Sequence, residues 1–177
     1  PMELELFVTR ADTSERIPVV IRPANHSDFA QTRQAGWQTN WNSRSARSFP
    51  NKVAMETASD HELLGLMSYS CDDQFLAVEI VYLESQPQSN GNLLHQSGLP
   101  RAYIGIARAF FAYAAAESVR HGYDGVLLFK AKTDTLLEYY IHEFGARPVS
   151  RYDPFRLVLW EDAAQKILSE YEVNDNE

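Results

Sequence analysis

Two strand-like segments separated by a helical segment constrain the fold of this chain more than any other feature. The first, QFLAVEIVYLES, covers residues 74–85, and the second, GVLLFKA, covers residues 125–131. Between them, small and aromatic side chains recur at helical spacing, at Ala107, Phe110, Phe111, Ala114 and Ser118. A helix that joins two strands of one sheet is typical of parallel neighbours, because antiparallel neighbours need only a short turn. The pattern predicts one parallel crossover, with its helix over residues 104–120.

The segments around this unit have the patterns of antiparallel strands. MELELFVTR and IPVVIRPA are alternating or β-branched, and KVAMETA and ELLGLMSYS flank the turn SDH. Later in the chain, RPVSRY and FRLVLW are predicted to pair around Asp153 and Pro154. The sheet is therefore expected to be mostly antiparallel.

Three further helices are predicted from capping residues and from glycines that stop a helix. They are expected from Asn25 or Ser27 to near Gly36, over residues 134–144, and from Asp162 to Tyr171. The tail EVNDNE is expected to be disordered. The prediction is an α/β chain in which helices flank a mostly antiparallel central sheet, in a single domain of residues 1–177.

Composition and charge limit the classes of function. The 177 residues carry a formal charge of −8 and one cysteine, Cys71. Nonspecific nucleic-acid binding depends on clustered Lys and Arg, so the acidic balance predicts no nucleic-acid partner. No apolar run approaches the roughly 20 residues of a membrane span, and one cysteine forms neither an internal disulfide nor a cysteine-rich zinc site. These features predict a cytoplasmic protein without a membrane partner or a metal.

The start of the predicted crossover helix has the features of an anion-binding turn. In RAYIGIAR, Gly105 lies where a strand is expected to become a helix, and it lacks the Cβ that would block a close approach. The backbone N–H groups from Ile104 to Arg108, with the positive end of the helix dipole, can bind phosphate oxygens. Arg101 or Arg108 can add charge-assisted hydrogen bonds. The alternative is that Gly105 only relieves the entry into a well-packed helix.

A long polar insertion precedes this turn. The segment QPQSNGNLLHQSGLPRA shows no hydrophobic periodicity. It is longer than most connections in compact domains, which makes it either functional or mobile.

The order of elements and two short motifs resemble the GCN5-related N-acetyltransferase (GNAT) superfamily, over residues 21–160. In that family's pyrophosphate turn, Gln/Arg-x-x-Gly-x-Gly/Ala, Gly105 and Ala107 match, and Ala102 stands at the basic or amide position. In its Asn-(x6)-Tyr pattern, Tyr140 matches and Thr133 replaces the asparagine. The resemblance implies a GNAT-like acyl-CoA N-acyltransferase fold with splayed parallel strands.

The resemblance also implies an activity, which is transfer of an acetyl group from acetyl-CoA to an amine by direct attack, without a metal. The residues expected to bind acetyl-CoA (coenzyme A) are Arg101, Tyr103, Ile104, Gly105, Ile106, Ala107, Arg108, Lys132 and Thr133. Tyr140 is the expected general acid, because a phenol keeps its proton at neutral pH and can give it to a departing thiolate. Glu84, at the end of an otherwise apolar strand face, is the expected base, with Glu79 or water as alternatives. The acceptor is expected to be a small amine or a peptide, and a homodimer is left open.

A second hypothesis comes from a different class of protein. Ala102 and Thr133 depart from the family's motifs, which is compatible with a coenzyme-A-binding or protein-interaction module of the same fold whose catalysis is weakened or lost. Independently of this hypothesis, the alternative for Glu84 is a solvated residue at a strand end, and the alternative for Tyr140 is a large core residue.

Overall fold

The computed structural model describes residues 3–91, 94, 98 and 100–173. Among these residues nine strands form one mixed sheet, flanked by four helices that are described over their whole length. The strands are β1 (Phe7–Arg10), β2 (Arg16–Pro23), β3 (Lys52–Thr57), β4 (Leu63–Asp72), β5 (Ala77–Ser85), β6 (Tyr103–Ile104), β7 (Leu127–Lys130), β8 (Arg147–Pro148) and β9 (Arg156–Leu159). The helices are α1 (His26–Gln31), α2 (Ile106–Arg120), α3 (Asp134–Phe144) and α4 (Glu161–Ser169).

The sheet is mostly antiparallel and contains one parallel pair. Its strand order is β6-β1-β2-β3-β4-β5-β7-β9-β8. β5 and β7 are parallel, with Val78 opposite Leu127 and Glu79 opposite Leu128. The terminal hairpin of β8 and β9 is antiparallel, as are β1 with β2 and β3 with β4. The predicted α/β architecture is confirmed, including the crossover helix between two parallel strands.

The chain clusters into two compact units. The first unit comprises residues 1–5, 69–81 and 111–177, and the second comprises residues 6–68 and 82–110. β4, β5 and α2 contribute residues to both units. A single domain over residues 1–177 stays a prediction.

Aromatic rings fill the part of the first unit where α2, α3 and β7 meet. The Phe111 ring lies edge-on to the rings of Phe129 and Phe144, with centroids 4.8 Å apart in both pairs. The Tyr140 ring stacks on Phe111 at a centroid distance of 5.6 Å. Burial of several large aromatic surfaces together stabilises this unit.

Helix α3 has the bounds that its sequence predicts. The Thr133 hydroxyl oxygen accepts a hydrogen bond from the N–H of Leu136, which caps the first turn. Gly145 ends the helix with φ of 75°, a left-handed conformation that side chains with a Cβ adopt at a cost. Both signals are local in sequence, which is why the prediction is accurate here.

A buried tryptophan organises the second unit. Trp41 is fully buried and shares one apolar cluster with Ala54 and Leu66. Its ring lies edge-on to Phe49 at 5.7 Å and to Tyr82 at 5.4 Å. The polar segment that joins α1 to β3 is thereby attached to the sheet through an aromatic side chain.

Gly65 on β4 allows the beginning of α2 to approach the sheet closely. A Cβ at Gly65 would lie 2.9 Å from the Phe110 ring and 2.8 Å from the carbonyl oxygen of Glu84. Both distances are shorter than van der Waals contact, so only glycine permits this packing without a shift. The first turn of α2 therefore rests directly on β4.

Helix α1 is shorter than its sequence pattern predicts. Asn25 caps it as expected, but the helix ends at Gln31 rather than near Gly36. The Thr32 hydroxyl oxygen accepts a hydrogen bond from the backbone N–H of Trp41, at 2.9 Å. This bond to a residue nine positions later redirects the chain, and tertiary structure of this kind overrides local helix propensity.

The start and end of α4 also differ from the prediction. The helix begins at Glu161 with Trp160 as its N-cap residue, rather than with Asp162 in that position, and it ends at Ser169. Glu161 and Asp162 instead lie in the first turn, where carboxylates interact favourably with the helix dipole.

The beginning of the predicted disordered tail is paired. Glu172 forms an isolated antiparallel bridge with Leu4, and the N–H of Glu5 donates to the carbonyl oxygen of Tyr171 at 2.8 Å. Backbone hydrogen bonds thus hold the tail as far as residue 173, whose N–H donates to the carbonyl oxygen of Glu3 at 3.3 Å, and residues 174–177 lie outside the described residues.

Candidate functional site

The segment from Tyr103 to Arg108, called the Gly105 turn below, leads from β6 into α2. β6 is antiparallel to β1, with Ile104 opposite Thr9. Gly105 has φ of 96°, and its carbonyl oxygen accepts the first helical hydrogen bond, from the N–H of Ala109 at 3.0 Å. Gly105 is therefore the N-cap residue of α2, and the positive end of the helix dipole lies at this turn.

The Gly105 turn is open on the side that a ligand would approach. Apart from Gly105 and its two chain neighbours, no described residue has an atom within 4 Å of the position that a Cβ on Gly105 would occupy. The N–H groups of Ile106, Ala107 and Arg108 begin the helix, and such groups have no acceptor within the helix itself. A cradle of backbone donors with no Cβ in front of it fits a phosphate or pyrophosphate group.

The charged side chains near the turn differ in their burial. Arg101 is exposed, Arg108 is half-buried, and Ile104 is 48% exposed. Tyr103 is buried, and the Arg10 guanidinium lies over its ring at 5.6 Å. Arg10, which the sequence does not single out, thus lies beside the predicted residue Tyr103, and binding of a phosphate by Arg101 or Arg108 stays a prediction.

Two polar residues of the insertion support the turn and were not expected from the sequence: Ser89 contacts the turn, and Gln86 contacts Ser89. The Ser89 hydroxyl oxygen accepts a hydrogen bond from the backbone N–H of Tyr103 at 3.1 Å. Both residues are buried in spite of their polarity. The sequence contains no signal for this, because the insertion lacks periodicity and its tertiary partners are distant in the chain.

Glu84 is buried in the second unit and holds the segment after α1. Its carboxylate accepts hydrogen bonds from the N–H of Gln38 at 2.6 Å, from the N–H of Thr39 at 3.3 Å, and from Nε1 of Trp41 at 3.0 Å. Only 3% of the residue is exposed. The sequence correctly indicates that Glu84 faces inward, but the expectation of a solvated residue at a strand end does not hold. Its role as a base stays a prediction.

Tyr140 belongs to the first unit. Its half-buried ring contacts Phe111 and Phe129, and no described residue makes a hydrogen bond to its hydroxyl. Burial, with a smaller effect from Tyr139, raises the pKa of Tyr140 to about 12. The phenol is therefore protonated throughout the neutral range, as a proton donor must be.

The remaining predicted binding residues, Lys132 and Thr133, lie just before α3 in the first unit and are exposed. The Thr133 side chain caps that helix. Its hydroxyl oxygen is thereby engaged, although its proton is still available for donation. Binding of acetyl-CoA by these residues stays a prediction.

The described part of the chain contains neither a metal-binding cluster nor a membrane-spanning helix. Among residues 3–91, 94, 98 and 100–173, no group of three His, Cys, Asp or Glu side chains could hold a metal ion. Within the same residues, no helix has both the length and the apolar character that crossing a membrane requires.

Comparisons with known proteins identify the fold. No family model and no curated protein matches the sequence. Among solved structures, AtaTR bound with acetyl-CoA has a TM-score of 0.54 and 13% identity, over 84% of this chain and 97% of that one. A spermidine N-acetyltransferase SpeG chimera from Vibrio cholerae and hSSAT has a TM-score of 0.51 and 11% identity, over 83% and 98%. An acetyltransferase from Agrobacterium tumefaciens has a TM-score of 0.50 and 13% identity, over 89% and 92%.

The comparisons also correct the prediction about partners. A similar structure is the KacTA–DNA complex, with a TM-score of 0.49 and 12% identity, over 86% of this chain and 99% of that one. In another, an AtaT toxin mutant is bound to the C-terminus of the antitoxin AtaR, with a TM-score of 0.52 and 10% identity, over 86% and 98%. The prediction that excluded a nucleic-acid partner is therefore corrected: net charge averages over the whole surface, so an acidic balance does not by itself exclude such a partner.

The mixed sheet and its flanking helices agree with these comparisons. The sequence identities are low, so the comparisons establish a fold and no more. This chain has the fold of the GCN5-related N-acetyltransferases.

Proposed function

We propose that this chain is an N-acetyltransferase that moves an acetyl group from acetyl-CoA to an amine. The observation that carries the proposal is the Gly105 turn. Gly105 has positive φ, the space at its Cβ position is open, and α2 begins directly after it. The fold, and the acetyl-CoA bound in one of the similar structures, support the same donor. We also propose that the protein is cytoplasmic, as its composition predicts.

The pyrophosphate of acetyl-CoA is proposed to bind at the Gly105 turn. The N–H groups of Ile106, Ala107 and Arg108 would donate to its oxygens, with support from the helix dipole. Arg101 or Arg108 would add a charge-assisted hydrogen bond, which is stronger than a neutral one. Tyr103 and Ile104 would hold the turn at the sheet edge through β6.

Tyr140 is proposed to donate a hydrogen bond, and then its proton, to the departing sulfur. Acetyl-CoA supplies an activated thioester that the amine attacks directly, so no acyl-enzyme is required. A pKa of about 12 keeps the proton on Tyr140 at neutral pH, whereas a thiol titrates near 8.5. Complete transfer to a free thiolate is therefore uphill by about 5 kcal/mol, and hydrogen-bond donation during C–S cleavage is the larger part of this role. The amine's proton goes to Glu84, Glu79 or water.

A catalytically weakened module that binds coenzyme A or a protein is the second candidate. Two observations favour it. The Glu84 carboxylate is already engaged by three hydrogen bonds, and the Thr133 hydroxyl oxygen caps α3. The Glu84 carboxylate can therefore act as a base, and the Thr133 oxygen can accept a hydrogen bond from a ligand, only at the structural cost of losing these bonds.

Calorimetry with acetyl-CoA tests the donor site, with Gly105→Val as the variant. We expect this variant to weaken binding at least tenfold, because a β-branched side chain would enter the open space and resist positive φ. Gly122→Val is the matched control, since Gly122 also has positive φ and open space but follows the C-terminal end of α2. It should strain the backbone similarly and leave the affinity unchanged.

Turnover separates the two candidate functions. Thiol release would be followed with a panel of amines and small peptides. Tight binding of acetyl-CoA without turnover of any acceptor would favour the module. An unmutated protein that does not bind acetyl-CoA, or a Gly105→Val variant that binds normally, would exclude the Gly105 turn as the donor site.

A further inference from the structure

We propose that Ser89 is a positioning residue for the Gly105 turn: its hydroxyl, backed by Gln86, fixes the strand from which the turn begins. The inference rests on the proposed function, because it assigns a role in acetyl-CoA binding to the polar insertion. Under this proposal, residues 86–91 of the insertion have a function.

The Ser89 hydroxyl oxygen joins the insertion to the Gly105 turn. It accepts one hydrogen bond from the backbone N–H of Tyr103 at 3.1 Å and another from Nε2 of Gln86 at 2.9 Å. Ser89 is 6% exposed and Gln86 is 3% exposed. Buried polar atoms are costly unless they are hydrogen-bonded, so this pair favours one arrangement of the chain over others.

The pair is itself attached to the sheet. The backbone N–H of Gln86 donates to the carbonyl oxygen of Leu64 on β4, at 2.8 Å. Beside it, the N–H of Ala102 donates to the carbonyl oxygen of Gln88, also at 2.8 Å. Hydrogen bonds therefore run without interruption from β4, through Gln86 and Ser89, to the residue that opens the turn.

The side chain of Tyr103 provides a second attachment to the same part of the chain. Its hydroxyl donates to Oε2 of Glu62, just before β4, at 2.9 Å. Tyr103 is thus held through its N–H by Ser89 and through its hydroxyl by Glu62. Both hydrogen bonds are made by Tyr103, two residues before Gly105, and neither involves Gly105 itself.

The turn needs such support because its own glycine supplies none. Among the described residues other than its two chain neighbours, nothing packs within 4 Å of the Cβ position on Gly105. Glycine also loses more backbone entropy on ordering than any other residue. The position of the donor N–H groups therefore depends on the two flanks of the turn, which are Tyr103 and the start of α2. Preorganised donors bind more tightly, because less ordering is left to the binding step.

The test compares Ser89→Ala with Ser85→Ala in the full chain. Ser85→Ala is the matched control, because it makes the same change at the end of β5. Three quantities are measured: the Kd of acetyl-CoA by calorimetry, amide hydrogen exchange by NMR, and the melting temperature. We expect Ser89→Ala to raise the Kd roughly three- to tenfold, the range for one hydrogen bond. Its amides from Tyr103 to Ala107 should exchange faster, and its Tm should fall by no more than about 4 °C.

A second variant, Tyr103→Phe, removes only the bond to Glu62. It should raise the Kd by a smaller factor, about two- to threefold. A third variant, Ser89→Cys, tests the proposal if Ser89→Ala does not fold, because it keeps the shape of the side chain and replaces the hydroxyl oxygen by a weaker acceptor. If Ser89→Cys binds acetyl-CoA as the unmutated chain does and its turn amides keep their protection, the positioning role is excluded.

The possible results separate the inference from the proposed function. Faster exchange confined to the turn, together with weaker binding, supports a positioning role for Ser89. Normal binding by Ser89→Ala, or a loss of protection spread evenly over the chain, contradicts that role while the donor site stands. An unmutated chain that does not bind acetyl-CoA overturns the proposed function, and the inference falls with it.

Discussion

At Tyr140, burial has two opposite consequences for a proton donor. It raises the pKa to about 12, which keeps the proton on the phenol, and it makes complete release of that proton more costly. We expect Tyr140→Phe to lower kcat by roughly 10²-fold or more, about 2.7 kcal/mol of transition-state stabilisation. Affinity for coenzyme A should be unchanged, because the ring still packs on Phe111. Turnover with one accepted amine, beside the melting temperature, measures both effects.

The neighbouring tyrosine is the control for this prediction. Tyr139 is 43% exposed, and Tyr139→Phe makes the same chemical change on the same helix. It should leave kcat within about twofold. Equal turnover by Tyr140→Phe, accompanied by a lower melting temperature, would assign Tyr140 to the core.

At the scale of elements, the end of β5 holds the segment between α1 and β3 through one carboxylate. Glu84→Gln replaces an acceptor oxygen by an NH2 group that faces backbone and indole donors. We expect the free energy of unfolding to fall by about 1.5–3 kcal/mol, the range for hydrogen bonds to a charged group. Urea denaturation measures this change. Glu79→Gln on the same strand is the control and should stay within about 0.5 kcal/mol.

Turnover of Glu84→Gln distinguishes a structural role from a catalytic one. A carboxylate that only anchors the segment after α1 should alter turnover in proportion to the fraction of folded protein. A loss of about 10²-fold or more in kcat, with unfolding unchanged, would instead identify Glu84 as the base.

The elements were predictable to the extent that their signals are local. α3 has its predicted bounds because Thr133 and Gly145 act within one turn of the helix, and the parallel pair follows from a crossover that the pattern itself requires. Alternation along β5 places Glu84 on the inward face, yet its donors come from residues about 45 positions earlier. Thr32 ends α1 through Trp41 in the same way. No pattern in the sequence specifies such partners.

At the scale of the whole molecule, buried tyrosines make stability sensitive to alkali. Burial raises the pKa of Tyr69 and of Tyr140 to about 12, whereas an unfolded tyrosine titrates near 10. Their contribution is complete below pH 10 and is lost as the pH rises towards 12, because only the unfolded chain ionises easily in that window. Tyr140→Phe should therefore reduce the loss of unfolding free energy between pH 9 and 11.5, by up to about 1 kcal/mol after solvent screening.

Urea denaturation at several pH values measures this loss. Tyr69→Phe should reduce it similarly, although part of the Tyr69 shift comes from its hydrogen bond with Tyr113. Tyr152, which is 89% exposed, is the control, and Tyr152→Phe should behave as the unmutated chain. A pH dependence that is identical in all three variants would show that the buried phenols do not titrate differently on unfolding.

The pairing of β6 with β1 has a consequence for the order of folding. Thr9 and Ile104 are about 95 positions apart, so the strand that opens the Gly105 turn finds its partner only after a long loop has closed. Contacts of such high sequence separation form slowly, whereas a helix such as α2 forms in microseconds. During synthesis, β1 leaves the ribosome before β6 and stays without this neighbour until residue 104 has followed. Competence to bind a ligand at this turn is consequently acquired late, after most of the local structure around it.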